Sequence, residues 1–196
     1  MNWIGLVWKS LCKYRVFEWL KISQSDSYFT ECGRKTIALA RMEAYRLGHD
    51  YVGSEHILLA LLRLRFGVTS KILHKMGLNL AIVREAVRKH GRVGYKKKPL
   101  GNVPFTERVK QLLVLADEET NRLNHPKVGS GHILLGLQQL DDGEANRVLN
   151  SLGVDLGNYR EEILSELRID AGVENATISE EVEVPDEDSA GSSEAH

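Results

Sequence analysis

Cysteine is nearly absent from this chain. Of 196 residues, Cys12 and Cys32 are the two cysteines. Two give neither a disulfide framework nor the paired spacing of a metal site, so a reducing compartment, the cytoplasm, is the expected location. A membrane span is also missing: the uninterrupted apolar run at the N-terminus falls far short of the ~20 residues that cross a bilayer. No basic segment precedes that run and no small-residue cleavage site follows it, which argues against a secretory signal. No segment sustains the alternation of a half-buried strand. There is no G-x-x-x-x-G-K-[ST] loop to hold ATP, and no nucleophile–base pair or acid–base constellation. The reading is a non-enzyme that needs no cofactor and no metal.

Concentrated positive charge is lacking too. The formal net charge of −1 hides an asymmetry: residues 171–196 carry eight acidic side chains and no Lys or Arg, which leaves the remaining chain at about +7. That is mildly basic and not the patch that nucleic acid requires, so nucleic acid is not an expected partner. The acidic tail has few apolar residues and is expected to be disordered. At the other end Trp3, Trp8, Phe17 and Trp19 make a greasy leader interrupted by Lys9, Lys13, Arg15, Glu18 and Lys21. The charges scatter around a helical wheel instead of forming one face, which fits an interfacial membrane helix poorly. A helical leader packed on the domain or on a partner is the reading, with membrane contact through residues 1–25 as the alternative.

What is present is a repeat. Residues 29–91 align with 105–167 at a constant offset of 76. Phe29-Thr30-Glu31 returns as Phe105-Thr106-Glu107, and Arg46-Leu47-Gly48-His49 as Arg122-Leu123-Asn124-His125. Val52-Gly53-Ser54-Glu55-His56-Ile57-Leu58-Leu59 returns as Val128-Gly129-Ser130-Gly131-His132-Ile133-Leu134-Leu135. Each copy reads as four helices. The first starts after Thr30 or Thr106, good N-caps, and shows the 3.6 period through Ala40, Ala44 and Leu47, or Leu112, Leu113, Ala116 and Leu123. The second runs from about Ser54 to Leu64 and from Ser130 to Leu140; Ser54 is expected as its cap, and a helix apolar nearly all round must be buried. The third stops at Gly77 or Gly153, where glycine takes the left-handed conformation without steric cost. The fourth starts at Asn79 or Asp155.

The expected class is all-α: two four-helix repeats about a pseudo-two-fold, sharing one core because ~60 residues alone make a marginal one. The domain plan is a leader (1–28), repeat 1 (29–91), a basic Gly/Pro linker containing Lys96-Lys97-Lys98 (92–104), repeat 2 (105–168) and the tail (169–196). The lysine triplet reads as a solvated loop, able to attract the acidic tail weakly.

These two linked copies, each with the Phe-Thr, Leu-x-His and Gly-Ser-x-His-Ile-Leu-Leu elements in order, resemble the double Clp N-terminal repeat. That domain precedes the ATPase modules of Clp/Hsp100 unfoldases, and the likeness is to the ClpC type. The resemblance implies an all-α pseudo-dimer that docks adaptors and substrates for a Clp protease or unfoldase. In the ClpC branch it implies recognition of arginine-phosphorylated proteins, through the Thr of Phe-Thr and the Glu of Gly-Thr/Ser-Glu-His in each repeat. Carried over by position, site 1 is Thr30 with Glu55; site 2 is Thr106 with Gly131, degenerate for want of a carboxylate. Glu55 in a first helical turn is favoured by the helix dipole and can grip a guanidinium through paired hydrogen bonds, while unpaired first-turn amides can receive a phosphate. The plainer reading of Glu55 is a capping charge. Without ATPase modules the expected role is an accessory subunit or a regulator of a Clp machine. The alternatives are a membrane- or partner-tethered receptor for modified proteins and a remnant of a shortened unfoldase.

His49 and His56, with His125 and His132, recur symmetrically. Each repeat offers one pair seven residues apart with no Cys or Asp at ligand spacing, so capping and buried hydrogen bonds are expected rather than metal. Cys32, in a first helical turn, has Arg108 as its equivalent and no base partner; it reads as an inert thiol.

Overall fold

Two helices buried on every side set the arrangement. In the computed structural model, which describes residues 28–64, 67–90, 103–140 and 142–170, Ser54 to Leu61 and Ser130 to Leu137 are buried throughout. The other helices among the described residues pack around them. The first repeat comprises α1 (Glu31–Arg46), α2 (Ser54–Arg63), α3 (Val68–Lys75) and α4 (Leu80–His90). The second comprises α5 (Glu107–Arg122), α6 (Ser130–Gln138), α7 (Glu144–Ser151) and α8 (Arg160–Asp170). The fold is all-α, as the periodicity predicts. Most of the aromatic leader, most of the basic linker and all but the first residues of the acidic tail lie outside the described residues.

The helix ends follow the side chains. Thr30 Oγ1 accepts from the Gly33 amide at 3.1 Å and Thr106 Oγ1 from Val109 at 3.3 Å, each satisfying a first-turn donor. Asn79 Oδ1 accepts from the Ile82 amide at 2.9 Å. Asp155 Oδ1 accepts from Gly157 at 2.8 Å, but there it caps a 3-10 turn, Leu156–Tyr159, and α8 begins after it. Glycine at 157, where repeat 1 has Ala81, is a poor helix former and accounts for the delayed start. Gly77 and Gly153 take φ of 74° and 72°. The amides that follow them reach back to Leu73 and Leu149 at 3.1 and 2.9 Å, the Schellman closure.

The start of α2 differs from the sequence reading. Ser54 is its first helical residue, and Gly53 is the N-cap. The return half of the cap comes from His56, whose Nδ1 accepts the Gly53 amide at 2.8 Å; His132 does the same for Gly129 at 2.9 Å. Histidine here takes the place of the Glu or Gln of a capping box. The Ser54 hydroxyl is thereby released to accept the Ala145 amide, at 3.2 Å, in the first turn of α7. At the related place Thr69 Oγ1 donates to Ser130 Oγ at 3.0 Å. Both serines tie one repeat to the other.

That exchange runs through the whole domain. The Thr30 amide donates to Val128 O and the Thr106 amide to Val52 O, both at 3.0 Å. The amides of Val128 and Val52 donate in turn to Tyr28 O and Pro104 O, at 3.1 and 2.8 Å. Each repeat's leading residues therefore bridge to the other repeat's turn before its buried helix. The third helices cross over as well: α3 packs on α6 and α8, and α7 packs on α2 and α4. One apolar cluster draws on both copies, which relieves the size limit of a single repeat.

Two fully buried glutamates escape the apolar pattern. Glu43 in α1 accepts from Arg63 in α2 at 3.0 Å and, on both oxygens, from Arg84 in α4 at 3.1 and 3.2 Å. Its equivalent, Glu119 in α5, accepts on Oε1 from Arg122 (2.9 Å), Gln139 (2.7 Å) and Arg160 (2.7 Å), leaving Oε2 without a partner. Each cluster pins the first, second and fourth helices of its repeat. Both glutamates sit at core spacing, between Ala40 and Ala44 or beside Ala116 and Thr120. That, together with recurrence at the offset of 76, is the signal that could have found them.

Candidate functional site

Glu55 is the second residue of α2, and its side chain is 5% exposed. The carboxylate folds back over Gly53, in the space a Cβ there would need. Its Oε1 lies 3.3 Å from His56 Nδ1, but that nitrogen already accepts the Gly53 amide, so two lone pairs face one another. Burial raises Glu55 to about 7; a hydrogen bond from its own amide opposes the rise, and Glu144 adds to it. Glu144 belongs to the second repeat. It opens α7, which the Ser54–Ala145 bond draws against the start of α2, and it is paired with Arg147 at 2.7 Å. Among the described residues no Lys or Arg pairs with Glu55, in contrast to Glu43 and Glu119.

The histidines are committed elsewhere. With Nδ1 of His56 accepting, its proton sits on Nε2 and points at His49 Nδ1, 2.8 Å away. His132 and His125 repeat this at 2.8 Å. Burial, with the adjacent histidine second, holds His56 down to about 3 and His132 to about 4. Donor atoms of His49, Glu55 and His56 fall within 4.8 Å of one another, a set that a metal ion would fit by distance alone. Both nitrogens of His56 are already used, however, and the same pair stands in repeat 2, where no carboxylate accompanies it. The pairs serve the caps.

The other end of the pseudo-two-fold is closed. A Cβ at Gly131 would lie 2.5 Å from Leu167 Cδ2, so a leucine of α8 fills the space as well as the carboxylate being absent. At the offset of 76, Leu167 corresponds to Gly91 and Glu144 to Val68.

The two threonines fall on opposite ends from the within-repeat pairing. Because the bridges cross, Thr106 is tied to Val52, which leads into Glu55, and Thr30 is tied to Val128, which leads into Gly131. Both hydroxyls are engaged as caps.

The profile of the Clp repeat (R) N-terminal domain matches residues 28–113 and again 104–184. The chain belongs to the Clp repeat N-terminal domain family. The chaperone protein ClpB of Oceanobacillus iheyensis is 43% identical over 136 residues, 69% of this chain and 17% of that protein. ClpC/MecB of Bacillus subtilis, a negative regulator of genetic competence, is 40% identical over 136 residues, 69% of this chain and 16% of its own length. The solved N-terminal domain of the chaperone ClpD from Arabidopsis thaliana superposes with a TM-score of 0.59 at 29% identity, covering 71% of this chain and 96% of that one. The Clp repeat domain therefore spans about one sixth of the curated relatives it matches, and the match falls in their non-catalytic N-terminal region. No helix of its described residues is long and apolar enough to cross a membrane.

Proposed function

We propose that this Clp repeat domain is a non-catalytic docking module of the cytoplasmic Clp system, binding adaptors or marked substrates through an arginine side chain and acting as an accessory subunit or a regulator. One observation carries this reading. Of the glutamates buried among the described residues, Glu43 and Glu119 are each held by arginines, whereas no described Lys or Arg pairs with Glu55. A buried carboxylate without a counter-charge is unfavourable, and a ligand guanidinium would relieve it through two charge-assisted hydrogen bonds. The reading is of one such site, at Glu55, with the Thr106 turn bridged to the strand-like lead into it, because position 131 has no carboxylate and Leu167 occupies the space beside it.

Calorimetry with peptides bearing one arginine or one phosphoarginine tests this. One ligand per chain is expected, and Glu55→Gln should weaken binding about 10- to 100-fold, the loss of a charged hydrogen-bond pair. Two equal sites, or affinity indifferent to Glu55→Gln, would overturn the assignment.

A further inference from the structure

We propose that a polar cleft on the second repeat, lined by Asn146, Asn150 and Asp155, is a further docking site, and that it takes a primary ammonium group. The cleft lies between α7, the turn that follows it and the end of α6, with the buried Leu149 and Leu156 and the Gln138 side chain completing the wall. Its volume is about 180 Å³. Pockets for small molecules start at roughly 300 Å³, so the space suits the end of one chain or side chain rather than a nucleotide or a cofactor. The chemistry belongs to the second copy. At the offset of 76, Asn146, Asn150 and Asp155 stand where repeat 1 has Ser70, His74 and Asn79, which bring no carboxylate. Gln138 stands where Leu62 packs against the core. It turns its amide instead to Leu156 O and Gly157 O, at 3.1 and 3.3 Å.

The free atoms decide the ligand. Asn146 and Asn150 are one turn apart on α7 and so share a face. Neither side chain has a hydrogen-bond partner among the described residues. Asp155 Oδ1 takes the Gly157 amide at 2.8 Å, which leaves Oδ2 as the oxygen without a partner. A guanidinium grips a carboxylate through both oxygens at once, and Asp155 has one of them committed. An ammonium is a compact charge with three donors and no acceptor. Oδ2 and the two side-chain amide oxygens supply three acceptors. Arg160, which meets Gln138 Oε1 at 3.3 Å, is paired with Glu119 at 2.7 Å and so does not oppose a cation in the cleft as a bare charge would.

A nuclear magnetic resonance titration of the full chain, read at the side-chain amides of Asn146 and Asn150, separates this cleft from Glu55. The probes are N-terminally acetylated peptides of one sequence carrying a single lysine, acetyl-lysine or arginine, and a lysine-free peptide with a free N-terminus. The lysine peptide is expected to shift both amides to saturation if the source is a side chain, and the free N-terminus if it is an α-amino group. Acetyl-lysine is expected to shift neither, and arginine to bind about tenfold more weakly. Asp155→Asn removes the charge and keeps a capping oxygen, as Asn79 shows in repeat 1, where its Oδ1 accepts the Ile82 amide at 2.9 Å. It is expected to weaken the ammonium peptide about tenfold, while Glu85→Gln, the same charge change on exposed α4, leaves affinity unchanged. Equal losses in the two variants would overturn the site. So would an acetyl-lysine or arginine peptide acting as strongly as the ammonium peptides, or no shift with either ammonium. None of these results bears on Glu55.

Discussion

Glu55→Gln is expected to melt higher than wild type at pH 8, and the gap is expected to close as the pH falls toward 4. The carboxyl has a folded-state value of about 7 against 4.5 when exposed. Between those values the folded chain holds a proton that the unfolded chain has released. Stability from this group is therefore present at low pH and lost as the pH rises through 7. Above 7 the buried, ionised carboxylate costs roughly 3 kcal/mol, from a shift of about 2.5 units at 1.36 kcal/mol each. Glutamine keeps the shape and carries no charge, so most of that cost disappears, which corresponds to a rise of several degrees for a domain of this size. His56 and His132 act with the opposite sign. Kept neutral down to about 3 and 4 against 6.5 unfolded, they withdraw stability from both proteins as the pH falls below 6.5. Wild type is thus expected to be most stable near pH 6 to 7, and the variant to stay on a plateau above it. Thermal melts by circular dichroism from pH 4 to 8 read this directly. A wild type more stable than the variant at pH 8 would mean that Glu55 has its counter-charge within the folded chain, and the docking assignment would lose its basis. The expected pattern, a residue that weakens the fold yet is required for binding, is the usual exchange between stability and function at a site.

The fold was legible because its determinants are local and occur twice. An apolar run starting at Gly-Ser, a glycine at the end of the third helix and a fixed offset each bear on one segment, and their agreement across copies leaves little freedom. The exchange was not legible. Packing α3 on its own repeat or on the other one buries the same apolar residues, so the hydrophobic pattern does not distinguish them; hydrogen bonds from Thr30, Thr106 and Ser54 decide it. The crossed bridges also tie the Thr106 turn to the residues that lead into Glu55, a link that reading each copy alone does not reveal. The missing carboxylate at Gly131 was visible in the alignment, but the leucine that fills its place comes from 36 residues further along and could not be seen there. Nor could the burial of Glu55, since a glutamate near a helix start is ordinarily a solvated charge.

The largest loss of stability is expected from Glu43→Ala. Arg63 and Arg84 converge on that carboxylate with side chains 19% and 24% exposed, so its removal strands two mostly buried cations. Breaking a buried pair costs about 3–5 kcal/mol, and the residual exposure of both arginines sets the expectation near ~3. Glu119→Ala is expected to cost less, because Arg122 is 62% exposed and can turn to water, and because Oε2 already lacks a partner. The comparison suggests a repair. Residue 139 is glutamine where repeat 1 has Arg63. Gln139→Arg would bring a second inward-facing guanidinium to a carboxylate with one vacant oxygen, for an expected gain of ~1 kcal/mol. Chemical denaturation of the three variants beside wild type gives the order Gln139→Arg, wild type, Glu119→Ala, Glu43→Ala. If the two alanine variants lose equally, the second arginine of repeat 1 contributes nothing. If Gln139→Arg destabilises, residue 139 cannot present a guanidinium to Oε2. The consequence for function follows from the crossover. Glu43 holds α4 to α1 and α2, and α7 packs on α4 as well as on α2. Loosening α4 therefore removes part of the support of α7, and with it the Ser54–Ala145 bond at the start of α2, next to Glu55. In Glu43→Ala, binding is expected to weaken along with stability, whereas Glu119→Ala, whose cluster braces α8 behind the filled end, is expected to lose stability with binding preserved.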